Sequence, residues 1–140
     1  MAAPTHLVDN SVIVRAHKPA IAAAFEPKVH GGLVASCSIT DLEQLFSVRN
    51  GDEHRARRAD IELRYVRVPI DQATLDRAVE VQGLLANAAQ HRAASIPDLV
   101  VAAAAERAGL TILHYDADFE LIATVTGQPT EWVVPRGAVD

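Results

Sequence analysis

A single cysteine, Cys37, among 140 residues leaves no disulfide framework and no cysteine zinc site. Aromatic residues are scarce at 4%, so the core has to come from closely packed aliphatic side chains. No aromatic platform for stacking single-stranded bases is visible. An excess of positive charge is missing as well. Thirteen Lys and Arg stand against 18 Asp and Glu, a formal charge of −5 that argues against a protein that simply coats nucleic acid. It leaves room for an enzyme that holds cations in an acidic pocket. No apolar run approaches the roughly 18 residues of a membrane span. The stretch from Met1 to Val8 lacks the basic-then-apolar order of a signal peptide. A soluble, cytoplasmic chain with no membrane partner is therefore expected.

Several chemical signatures are also absent. There is no phosphate-cradling G-x-x-x-x-G-K-[ST] segment, and no nucleophile-elbow glycines surround Ser36 or Ser38. His6, His17, His30, His54, His91 and His114 are scattered, with no pair at i, i+4 on a clear helix, so a zinc site finds no support. Cys37 reads as a small buried apolar residue beside a strand end.

What is present is an alternation of short apolar runs and helical patterns, with 49% hydrophobic and 22% charged residues. The length is near the commonest domain size, and residues 1–140 read as one domain. Thr5 to Val8 is a first strand, followed by a short helix capped by Asn10 or Ser11. Pro19 to Phe25 is a second helical pattern, closed by Pro27. Leu33 to Ala35 suits a buried parallel strand. Ser38-x-x-Asp41 and Thr40-x-x-Glu43 form a double capping-box signature. Leu42, Leu45 and Phe46 then repeat at helical spacing, and this helix should end near Asn50.

Asp52 to Glu62 is a charged, exposed helix carrying Arg55, Arg57 and Arg58, which read as a solvated surface. Tyr65 to Val68 is a third strand, ended by Pro69. Asp71 to Gln90 is the longest helix, with Leu75, Ala78, Val79, Gln82, Leu85, Ala86 and Ala89 along one face. Ser95 caps a helix that Gly109 ends; its body is apolar nearly all round, so it is buried on more than one side. Thr111 to Leu113, a helix from Phe119 to Thr126, and Thr130 to Val134 complete the series. The order argues for an α/β fold with a parallel sheet and right-handed crossovers.

The acids stand at particular places in that order. Taken singly, each has an ordinary explanation. Asp9 suits an Asx-turn, Glu43 and Asp98 suit capping boxes, and Asp116 and Asp118 suit the start of a helix. Taken together, Asp9 and Asp116 follow strand ends, while Glu43 and Asp98 lie in first turns of helices. In a parallel α/β sheet those places share the edge where ligands bind. Asp98 has no clear strand before it and has to arrive there by tertiary packing. Crowded carboxylates resist full ionisation unless a cation offsets them, and hard oxygen ligands suit Mg²⁺ or Mn²⁺.

Leu7-Val8-Asp9-Asn10-Ser11-Val12, Thr40-Asp41-Leu42-Glu43, the run from Ser95 to Ala103, and the run from Leu113 to Phe119 resemble the four successive motifs of PIN domains. The order and spacing resemble the toxin ribonucleases of VapBC-type toxin–antitoxin pairs, in particular the mycobacterial and actinobacterial branch. The likeness spans roughly Thr5 to Val134. It implies a five-stranded parallel sheet in the order 3-2-1-4-5 and a metal-dependent endoribonuclease. By motif, Asp9, Glu43, Asp98 and Asp116 would be the catalytic acids around one or two Mg²⁺ or Mn²⁺ ions. Asp118 would be an auxiliary acid, and Ser11 would orient the first aspartate or the water on the metal. The resemblance also implies a VapB-like antitoxin partner, whose C-terminal segment fills the acidic groove, an RNA substrate of the tRNA or rRNA class, and a homodimer.

Asn10 replaces the family's frequent Thr, and His114 its frequent Ser or Thr, which bears on the surroundings of the acids rather than on the acids. His91-Arg92 precedes the third motif as in many relatives and reads first as a solvated helix end. Two other classes compete. A signalling receiver also clusters acids at a sheet edge but needs a lysine after its last strand, and the last lysine here is Lys28. A catalytically inactive PIN-like module that binds protein or RNA is the remaining alternative, and the intact acids speak against it.

Overall fold

The computed structural model describes residues 3–140, so Met1 and Ala2 of the stretch inspected for a leader lie outside it. The strands are short: β1 His6–Val8, β2 Val34–Ser36, β3 Val66–Arg67, β4 Thr111–His114 and β5 Thr130–Trp132. They form one sheet in the order β3-β2-β1-β4-β5, with every pairing parallel. This is the expected α/β fold. Leu7, Ala35 and Ile112 are fully buried on one face of the sheet, and Val8 and Leu113 on the other, each packed into its own apolar cluster. The central strands carry apolar residues on both covered faces, whereas the edge strand β3 is exposed at both of its residues.

Helices α1 (Asn10–Ile13), α2 (Pro19–His30), α3 (Ser38–Leu45), α4 (Gly51–Arg64), α5 (Gln72–Asn87), α6 (Ile96–Ala108) and α7 (Asp118–Thr126) complete the chain. The central one is α6, in which every residue from Asp98 to Ala105 is buried. Four successive alanines let α5, α7 and the sheet approach it closely, which is how a core with few aromatics reaches full packing. No helix among the described residues is long and apolar enough to cross a membrane.

Local chemistry departs from expectation in five places. Helix α3 ends at Leu45 rather than near Asn50. Helix α2 does not stop at Pro27 but continues to His30. Ile21, Phe25 and Val29 lie at four-residue spacing on one buried stripe, so burial of Val29 outweighs the hydrogen bond that proline forfeits. Asp9, rather than Asn10 or Ser11, caps α1 by accepting the Ser11 N–H at 2.9 Å. Neither capping box forms at α3. Its cap is Cys37, without a side-chain bond, and Asp41 instead takes a bond from Ser36 Oγ at 3.0 Å and pairs with Arg67. In α3 and α5 the inward faces are rotated from those expected. Thr40, Gln44 and Leu45 point inward in α3, leaving Leu42 and Phe46 exposed, and α5 buries Thr74, Ala78, Val81 and Leu85.

Candidate metal centre

The C-terminal edge of the sheet gathers the acids. Asp9 follows β1, is 4% exposed, and has one oxygen committed to the Ser11 amide as the cap of α1. Asp98 is brought in by α6, which runs back across the sheet so that its N-terminus meets the end of β4. Ser95 Oγ accepts the Asp98 amide at 3.2 Å, but the Asp98 carboxylate makes no reciprocal bond. Only half of the capping box forms, and the carboxylate is left facing the site. Asp116 and Asp118 come from the turn between β4 and α7, where Asp116 Oδ1 accepts the Asp118 amide at 2.9 Å. One carboxylate oxygen from each of Asp98, Asp116 and Asp118 lies within 4.8 Å of the others.

Asp9 and Glu43 stand against this triad rather than within it. Glu43 is partly buried on α3, beyond the first turn where a cap would sit, and its Oε1 is buried with no partner. Asn10 Oδ1 is buried and unpartnered too. Together with Leu42 and Phe46 these residues line an open cavity of about 410 Å³. Phe46, 91% exposed, is the solvent-facing aromatic on this rim, a feature hidden from sequence by its helical spacing with Leu45.

The electrostatics follow from crowding and burial. Asp98 is pushed up to about 7, by burial first and then by the charges of Asp9 and Asp116. Burial also raises Asp9, against hydrogen bonds from Ser11 and Asn10 that lower it. Glu43 is raised by burial and then by the Asp9 charge. Asp118 is raised by burial and then by Asp116. No lysine or arginine supplies compensating charge to these groups, and no histidine joins the cluster among the described residues.

Oxygen donors alone, an orphaned buried carboxylate oxygen and raised carboxyl groups fit a hard divalent cation and fit poorly a soft or imidazole-bound metal. Ser11 ties the parts together. Its N–H holds Asp9, and its Oγ accepts the Tyr115 amide at 2.9 Å, so the ends of β1 and β4 are locked in register. His91 and Arg92 are exposed in the turn after α5.

An open parallel sheet with carboxylates collected at its C-terminal edge defines an acidic-site α/β domain. The chain matches the PIN domain family over residues 6–125 and belongs to it. It is 45% identical over 136 residues to Ribonuclease VapC21 of Mycobacterium tuberculosis, covering 94% of this chain and 96% of that protein. To Ribonuclease VapC51 of the same species it is 45% identical over 135 residues, with 96% and 97% covered. Among solved structures, the DNA-bound VapBC from Salmonella typhimurium superposes with a TM-score of 0.73 at 17% identity, over 94% of this chain and 99% of that one. VapBC2 from Rickettsia felis bound to a promoter DNA fragment gives 0.72 at 14% identity, over 91% and 98%. At those identities the structural likeness speaks for the fold.

Proposed function

We propose that this chain is the toxin of a type II toxin–antitoxin pair, an endoribonuclease of 1–140 acting as a single PIN domain and dependent on Mg²⁺ or Mn²⁺. The observation that carries the reading is the oxygen triad of Asp98, Asp116 and Asp118, with Asp9 and Glu43 raised beside it. Ribonuclease names among relatives of nearly full coverage support it.

Asp9, Glu43, Asp98 and Asp116 are the acids that would hold the cation, with Asp118 as an auxiliary acid whose closeness to Asp98 and Asp116 supports a place beside it. A divalent cation held there would supply a lowered pKa for water and offset negative charge on a phosphodiester. The residues of the chain do the rest. Asp98 is partly protonated near neutrality without a cation, so cation binding there would release its proton and leave the carboxylate as a ligand. Ser11 and the cap of α1 fix the Asp9 rotamer. Exposed Leu42 and Phe46 lie beside Glu43 and offer an apolar ledge next to negative charge. That ledge suits an antitoxin segment presenting a basic side chain flanked by apolar ones. A homodimer and a cytoplasmic setting complete the reading.

Purified protein should cut tRNA or rRNA with Mg²⁺ or Mn²⁺ and stop in EDTA. Asp98→Asn and Asp9→Asn should each lower the rate by at least about 100-fold. Equal cutting by wild type and variants, or cutting unaffected by EDTA, would defeat the proposal. Growth arrest on expression, relieved by a co-expressed antitoxin, separates a toxin from a housekeeping nuclease.

A further inference from the structure

We propose that His114 is a positioning residue for the acid cluster: its imidazole Nδ1 accepts the Asp116 amide and fixes the turn that presents Asp116 and Asp118 to a cation. The proposal rests on the metal reading above and assigns a role to a side chain that the reading does not use.

His114 is fully buried at the end of β4. The Asp116 N–H donates to its Nδ1 at 3.1 Å, so that nitrogen carries no proton and the neutral ring carries it on Nε2. Nε2 is buried without a hydrogen-bond partner. The ring lies between Phe119, at 5.3 Å, and Trp132, at 4.9 Å, and neither supplies an acceptor atom. An apolar side chain of similar size would fill this slot without an unpaired donor. Histidine makes physical sense here only through the other nitrogen.

That nitrogen completes a series. In the β4–α7 turn the Tyr115 amide goes to Ser11 Oγ, the Asp116 amide to His114 Nδ1, and the Asp118 amide to Asp116 Oδ1. Removing the middle acceptor frees the peptide plane between Tyr115 and Asp116, and with it the direction of the Asp116 carboxylate. Partners that orient metal ligands in this way are worth about 10- to 100-fold in metal affinity.

The test compares His114→Asn, whose Oδ1 occupies the place of Nδ1, with His114→Leu, which fills the slot but accepts nothing. Long-range ¹H–¹⁵N spectra of the wild type should show a ring protonated on Nε2 only. Mn²⁺ titrations, read by the EPR signal of the free ion, should leave His114→Asn within about threefold of wild type and weaken His114→Leu by roughly 10-fold or more. A proton on Nδ1, or a folded His114→Leu that binds Mn²⁺ like wild type, would overturn the proposal. Should His114→Leu fail to fold, His114→Gln takes its place, with its acceptor one bond too far out. Equal binding by the Asn and Gln variants overturns the proposal as well. A wild-type protein that binds no Mn²⁺ would sink the metal reading instead. The Asp116 amide resonance then decides: it should move in the variant that removes the acceptor, and an unmoved resonance counts against His114.

Discussion

At pH 8 the Asp98 carboxylate is ionised in a place that resists its charge, because burial and the neighbouring Asp9 and Asp116 hold its pKa at about 7. In the unfolded chain the same group ionises near 4. The folded state therefore binds more protons between those values, and stability falls as pH rises through them. Above the folded pKa the full cost is present; below the unfolded one it vanishes. In EDTA, the effect of Asp98→Asn on stability should thus be more favourable at pH 8 than at pH 5 by about 1–2 kcal/mol. Thermal melts at the two pH values check this, and an equal change at both would contradict it. The same residue shows what sequence conveys and what it conceals. Its position in the Ser95 capping pattern was legible, but its closeness to Asp116 and Asp118 depends on the tertiary approach of α6 to the end of β4.

Helix α6 ends at Gly109, whose φ of +69° lies in the left-handed region that side chains disfavour. Nothing stands within 4 Å of where a Cβ would be, so the backbone conformation alone sets the effect of a substitution. Gly109→Ala should cost about 1 kcal/mol, read as a melting temperature lower by roughly 3–5 °C with RNA cleavage retained. An unchanged melting temperature would show that the turn has relaxed.

This end was visible in sequence because glycine at a helix C-terminus acts locally. The continuation of α2 through Pro27 was not, because it depends on Val29 finding the same apolar cluster as Phe25. Nor was the face of α5, where Leu75 and Val79 fit a helical stripe as well as Thr74 and Val81 do. Only the neighbouring α6 and α7 decide which stripe is buried. Glu43 illustrates a mixed case. Its spacing suggested a cap, the resemblance assigned it to the acidic set, and the structure leaves Oε1 buried and unbonded.

Across the whole molecule, alternation of elements conveyed a parallel α/β sheet, whereas strand order came through the likeness of four motifs to a known family. Periodicity holds no information on which strands are neighbours, since that is fixed by crossover packing. The assembled sheet edge concentrates acids in a chain of net charge −5, with no lysine or arginine offsetting their raised pKa values. A cation that binds only the folded state should then stabilise the whole domain. At about 100 times its dissociation constant the gain is about 2.7 kcal/mol, several degrees in melting temperature. Mn²⁺ should raise the wild-type melting temperature, EDTA should reverse the rise, and Asp98→Asn should show little of either.

The most direct measurement of the central claim is calorimetric titration of Mn²⁺ into wild type and Asp98→Asn at pH 7, repeated in two buffers of different ionisation enthalpy. The account predicts saturable binding by the wild type accompanied by proton release, because the cation displaces the proton that Asp98 holds at this pH. It also predicts an affinity at least about 10-fold weaker, with that release lost, in Asp98→Asn. Absence of saturable binding by the wild type, or equal affinity and equal proton release in the two proteins, would contradict it.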